Sequence, residues 1–139
     1  MTLYLDLNEN PKGTSQQKGE SVVRGRIHHF EKANVRQQRA VYEKAIREAL
    51  EDIGREPPHY EGPVFLNVTF YYSIKAKKRW GEWKTSKPDC DNAVKLLQDV
   101  LSDEGFFATG DEQVASLRVK KVLAEQPGIH IEIGRLIQP

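Results

Sequence analysis

The segment Val64-Phe-Leu-Asn-Val-Thr-Phe-Tyr-Tyr-Ser-Ile74 limits the fold more than any other part of this chain. Val64, Leu66, Val68, Phe70, Tyr72 and Ile74 fall on alternate positions, so on an extended backbone they share one face. Their β-branched and aromatic character suits a central strand with that face in the core. Leu3-Tyr4-Leu5-Asp6-Leu7 alternates in the same way and predicts a first strand that ends near Asn8, before a turn containing Pro11 and Gly13. Residues 114–123 and 129–133 read as two further strands joined by a Gln126-Pro127-Gly128 turn, with Ile129, Ile131 and Ile133 inward.

Between these strands the period changes to that of a helix. Val41, Ala45, Ile46, Ala49, Leu50 and Ile53 recur at helical spacing over residues 33–53, and Gly54 with Pro57-Pro58 closes that segment. A second helix is expected to start near Asp91-Asn92, to bury Ala93, Val94, Leu97, Val100 and Leu101, and to stop by Gly105. Residues 12–26 are rich in Gly, Ser, Gln and basic side chains without either period. They predict a mobile loop leading into a short strand around residues 27–30. With 139 residues the chain holds one domain, 1–139, of the α/β (α+β) class: a mixed β-sheet with two main helices.

Composition excludes several functions. Cys90 is the single cysteine, so no internal disulfide can form, and four scattered histidines beside one thiol do not make a zinc site. Any metal is expected to be held by oxygen. No apolar run approaches the roughly 20 residues that span a bilayer, and the opening residues lack a signal-peptide pattern, so a cytoplasmic protein without a membrane partner is expected. The net charge of +1 is uninformative, because nucleic-acid binding depends on where charge sits. Its distribution is uneven: Lys75, Lys77, Lys78, Arg79, Lys84 and Lys87 crowd residues 75–87 against the single acid Glu82, and Lys12, Lys18, Arg24, Arg26, Lys32 and Arg36 stand earlier.

The most informative stretch is Lys87-Pro88-Asp89-Cys90-Asp91-Asn92-Ala93-Val94-Lys95. Pro88 biases its neighbours toward extended backbone, and residues two apart on such a chain project to one side, so Asp89 and Asp91 can share a pocket. At about 4 Å two such charges repel by roughly 4 kcal/mol at an effective dielectric of 20, which a divalent cation between them relieves. All-oxygen ligands favour Mg²⁺ or Mn²⁺, with positions left for water and phosphate. Lys95 lies one helical turn after Asp91, placed to neutralise a phosphate oxygen or orient the attacking water. Asp111 precedes a predicted strand, where it could complete the site. Taken singly, each residue has an ordinary role: Asp91 or Asn92 a helix cap, Asp89 a turn residue, Asp111 a loop carboxylate, Lys95 a solvated lysine. Only their combination outweighs those roles, with Glu112 a reserve ligand.

These residues resemble the RusA family of Holliday junction resolvases. Pro88-Asp89-Cys90-Asp91-Asn92, then Lys95, then Asp111-Glu112-Gln113-Val114 and the basic strand Leu117-Arg118-Val119-Lys120 match its pattern of a paired-aspartate motif, a lysine one turn on, and an aspartate before Gln-Val. Pro11-Lys12-Gly13 is similar to a further element. The resemblance implies that Asp89, Asp91 and Asp111 bind the metal and that Lys95 assists phosphodiester hydrolysis. It also implies a homodimer that nicks branched DNA in pairs, encoded by a bacterium or phage. One departure is Gly110, where family members often carry a second aspartate.

The candidate DNA contacts are Lys75, Lys77, Lys78, Arg79, Lys84 and Lys87, with Lys12, Arg24 and Arg26 on the early loop. Trp80 and Trp83 could present an aromatic surface to opened bases, or pack on the core or a dimer interface. The same acids would also serve a metal-dependent hydrolase of small nucleotides, and the same basic surface a junction-binding protein without turnover.

Overall fold

The computed structural model describes residues 1–13, 19–23, 26–30 and 33–138, the segments 19–23 and 26–30 by their backbone alone. The elements in order are β1 (Thr2–Asp6), β2 (Gly19–Val23), β3 (Arg26–Phe30), α1 (Ala33–Asp52), β4 (Val64–Ser73), α2 (Cys90–Asp103), β5 (Val114–Ala124) and β6 (Gly128–Arg135). Short 3-10 turns occupy Lys77–Arg79 and Asp111–Gln113.

β4 alternates as its sequence requires, buried at every second residue from Val64 to Tyr72. It is central in a four-stranded sheet of order β1-β6-β4-β5, antiparallel to β6 and parallel to β5. Ile129, Ile131 and Ile133 of β6 are fully buried, as expected, and Leu3 and Leu5 of β1 extend the same apolar face. The 126–128 turn does not close a hairpin, however, because β4 runs between β5 and β6. A parallel pair needs a crossover, and α2 supplies it between β4 and β5.

Both helices cover the apolar face, α1 against β1, α2 against β5, and each against the other, which gives two layers around one core. α2 buries Ala93, Val94, Leu96, Leu97, Val100 and Leu101. Each fully buried Leu or Val there contributes roughly 1.5–3 kcal/mol. α1 buries Val35, Gln38, Tyr42, Ala45, Ile46, Ala49 and Leu50. Val41 and Ile53, expected on that face, are 47% and 44% exposed, because the buried stripe is centred on Tyr42 and Ile46 and runs through Val35 and Gln38. α1 stops where Gly54 turns at φ 64°, with the Arg55 amide donating to the Leu50 carbonyl.

Of the segment expected to be an irregular loop, Gly19–Val23 is a strand paired antiparallel with Arg26–Phe30, Gly19 opposite Phe30 and Val23 opposite Arg26. Five residues beginning Gly-Glu-Ser carry too little alternation to mark a strand. The other residues of that segment from 14 to 18 and 24–25, Arg24 and Lys18 among them, lie outside the described residues.

Candidate active site

The chain leaves the carboxyl end of β4 through residues 74–89 and re-enters regular structure at α2, so the head of α2 sits where α/β units commonly bind ligands. Asp89 caps α2 on extended backbone, φ −67° and ψ 153°, and its carbonyl accepts the Ala93 amide at 2.9 Å. Its carboxylate makes no capping bond and pairs with Lys87 Nζ at 3.0 Å. Asp91 is already in the first helical turn and exposed, so the backbone joining the two acids is not the extended one expected. Both acids instead crowd one helix N-terminus, whose dipole favours negative charge. Lys95 is exposed one turn further along.

Three contacts that sequence reasoning missed hold this region. Lys121 Nζ, on β5, donates to the Ser86 and Pro88 carbonyls at 2.8 and 2.6 Å and so ties the loop before Asp89 to the sheet. Gly13 lies against Pro88, where a Cβ would run into the proline ring. The Pro-Lys-Gly string was the one available signal for that packing. Gln113 accepts from the Thr109 amide and hydroxyl through Oε1 and donates to the Tyr60 and Gly62 carbonyls at 2.8 and 2.9 Å, clamping the loop that carries Asp111.

Asp111 is set beside the second half of α2, where it lines a small pocket with Arg39, Asp99, Ser102 and Asp103. Eight residues separate Asp91 from Asp99, a rise of about 12 Å along the helix. Among the described residues no three His, Cys, Asp or Glu side chains gather to hold a metal ion. Asp89 and Asp91 nonetheless suit a hard cation that takes its remaining ligands from water and substrate phosphate, as magnesium commonly does. At the departure from the family pattern, the space a side chain on Gly110 would need is filled by the Glu112 carboxylate.

The basic segment is exposed at Lys75, Lys77, Lys78, Arg79 and Lys87, with Arg79 paired to Glu82 at 2.9 Å. Lys84 is half-buried, its ammonium 4.9 Å from the centre of the Tyr72 ring. The tryptophans divide: Trp80 donates its indole N–H to the Ile74 carbonyl at 3.0 Å, a structural role, whereas Trp83 is 65% exposed. Lys12 is exposed, 3.7 Å from Glu9. Arg26 lies in β3, known by its backbone only. Among the described residues no helix is long and apolar enough to cross a membrane.

A carboxylate pair at a helix head, a lysine one turn on and a basic loop beside them are the groups that metal-dependent cleavage of a phosphodiester uses. Comparison with known proteins agrees: residues 10–134 match the family Endodeoxyribonuclease RusA. The chain belongs to this family, whose members are endonucleases that hydrolyse phosphodiester bonds in DNA and call for a divalent metal. It is 38% identical over 130 residues to the crossover junction endodeoxyribonuclease rusA of Lactococcus phage r1t, covering 93% of each chain. It is also 34% identical over 83 residues to the uncharacterized protein YqaN of Bacillus subtilis (strain 168), covering 52% of this chain and 57% of that protein.

Proposed function

We propose that this protein is a Holliday junction resolvase that cuts four-way DNA by Mg²⁺-dependent paired cleavage, with Mn²⁺ able to substitute, and that it works as a homodimer in the cytoplasm. The observation that carries this reading is the Asp89 and Asp91 pair at the head of α2, between Lys95 and the exposed lysines of the 75–87 loop. When bound, the cation supplies a Lewis acid for the scissile phosphate and lowers the pKa of a coordinated water. Asp89 and Asp91 would hold it, and Lys95 would neutralise a phosphate oxygen as charge builds in the transition state. Lys87, paired with Asp89 here, would be free for DNA where that carboxylate holds the cation.

Two symmetric cuts need two active sites, and one chain offers one, so self-pairing is the simplest assembly.

The test is a synthetic fixed-centre junction incubated with and without Mg²⁺, with products mapped to the nucleotide. Symmetric nicks that require the metal support the reading. Junction binding without nicking would mean a protein that has lost turnover, and hydrolysis of nucleoside triphosphates in place of junctions would mean a small-nucleotide hydrolase.

Two further outcomes concern the basic loop. Lys77→Gln with Lys78→Gln is expected to weaken junction binding on the order of tenfold and to flatten the salt dependence of log Kd by about two. An unchanged slope in a salt titration would remove this loop from the interface. Trp83→Ala is expected to cost about 1–3 kcal/mol of junction affinity through lost stacking, with the melting temperature unmoved. Wild-type affinity in a fluorescence-anisotropy titration would assign that ring to another surface.

A further inference from the structure

Both helices lie on one face of the sheet, and neither covers the other face, whose side chains are exposed or half-buried. Parallel strands are usually covered on both sides, because crossover helices pack there, yet the β4–β5 pair is covered on one. This outer face is across the sheet from the head of α2. Three aromatic rings stand on it, Tyr4 of β1 with Phe65 and Tyr71 of β4. Two glycines of β6 let rings lean across that strand. A Cβ on Gly128 would stand 2.8 Å from the Tyr4 hydroxyl, and one on Gly134 2.9 Å from Phe65 Cε1. Tyr4 and Tyr71 approach each other from the two neighbours of β6, with ring centres 6.3 Å apart. A ring that leans turns part of its flat face outward, and Tyr4 is 46% exposed.

Between the aromatic ends the face is polar. Asn67 has Glu132 on one side and Arg118 on the other, and Thr69 has His130 and Lys120. These side chains line a depression of 120 Å³. Arg118 and Lys120 are exposed, two residues apart on one face of β5, and neither has an ion-pair or hydrogen-bond partner among the described residues. Glu132 is two strands away, roughly 10 Å, so both cations stay open to an anion. A second copy packed here would bury these charges in the middle of an interface, where charged residues are depleted. Cations beside outward-turned rings suit a phosphate chain whose bases are unstacked. A duplex keeps its bases inside, so only a single strand can use both groups.

We propose that the outer sheet face is a second site, separate from the active site, that binds single-stranded DNA. Bases stack on Tyr4 and Tyr71 at one end and on Phe65 at the other, and Arg118 and Lys120 hold phosphates between them. Phe65 and Tyr71 are six residues apart on β4, about 20 Å of extended chain, so the face takes a short run of nucleotides rather than one. Membership of a family that hydrolyses DNA makes that strand DNA. The site does not depend on which structure the carboxylate pair cuts. It would keep the protein on DNA that carries an unpaired strand.

The experiment titrates the full chain, in Ca²⁺ so that nothing is cut, into fluorescein-labelled oligo-dT and reads anisotropy. Tyr4→Ala is expected to weaken that binding about tenfold and to leave affinity for a four-way junction within about twofold, whereas Tyr4→Phe, which keeps the ring, should bind like the wild type. Arg118→Gln with Lys120→Gln should reduce the salt slope for oligo-dT by about 1.4, since a single strand contributes about 0.7 per phosphate. A third measurement needs no variant: oligo-dT carrying 5-iodouracil should crosslink on irradiation to the peptides that hold Tyr4, Phe65 or Tyr71. No binding of oligo-dT, wild-type binding by the Tyr4→Ala protein, or crosslinks confined to residues 75–87 would overturn the proposal. So would a Tyr4→Ala protein that changes its oligomeric state in sedimentation, because the face would then join two copies of the chain.

Discussion

Asp91→Asn is expected to abolish strand cutting, by roughly a thousandfold or more, and to leave junction binding within about twofold, since a lost metal ligand removes several kcal/mol of transition-state stabilisation. The amide keeps the size of the carboxylate and leaves every phosphate-facing lysine in place. Asp91 is exposed in the first turn of α2, so the fold loses only its favourable interaction with the helix dipole, about 0.3–1 kcal/mol. Single-turnover cutting in Mg²⁺, equilibrium binding in Ca²⁺ and a thermal melt separate these quantities. Binding and cutting lost together, with a lowered melting temperature, would make Asp91 a structural cap.

Gly13→Ala is expected to lower the cutting rate by about 10–100-fold with a much smaller change in affinity, since an ångström of misplacement in a catalytic group costs that much. The added Cβ would meet Pro88 Cβ and stand 3.5 Å from Pro88 Cα. A proline ring next to backbone cannot swing aside like the tip of a long side chain, so the loop must move. Asp89 follows Pro88 directly and moves with it. Combining Gly13→Ala with Pro88→Gly removes the Cβ that the new methyl meets and should recover part of the rate. A single variant that cuts like the wild type would show that the loop takes up the methyl without disturbing Asp89.

Much of this protein was legible before its structure. The face of β4 and the apolar stripe of α2 follow from spacing, since backbone geometry alone decides which residues share a side. Asp89 at the cap of α2 and Asp91 and Lys95 within it are likewise set by position along one short segment. Helix α1 was read less well: Val41 and Ile53 are as apolar as their buried neighbours, and only contact with β1 and α2 decides which side of the stripe is covered. Trp80 and Trp83 are indistinguishable by position in a basic segment, yet one bonds the Ile74 carbonyl and the other faces solvent.

Residue type and local spacing were therefore sufficient for most of the elements, though not for β2, and for the family resemblance. Packing decided the rest. It placed β4 between β5 and β6, carried Asp111 to the far half of α2, set Gly13 on Pro88, and drew Lys12, Tyr72, Lys84 and Asn92 around one groove. Those relations join segments tens of residues apart, and no period along a chain encodes them. They exist only because apolar faces of fixed shape fit together in one arrangement.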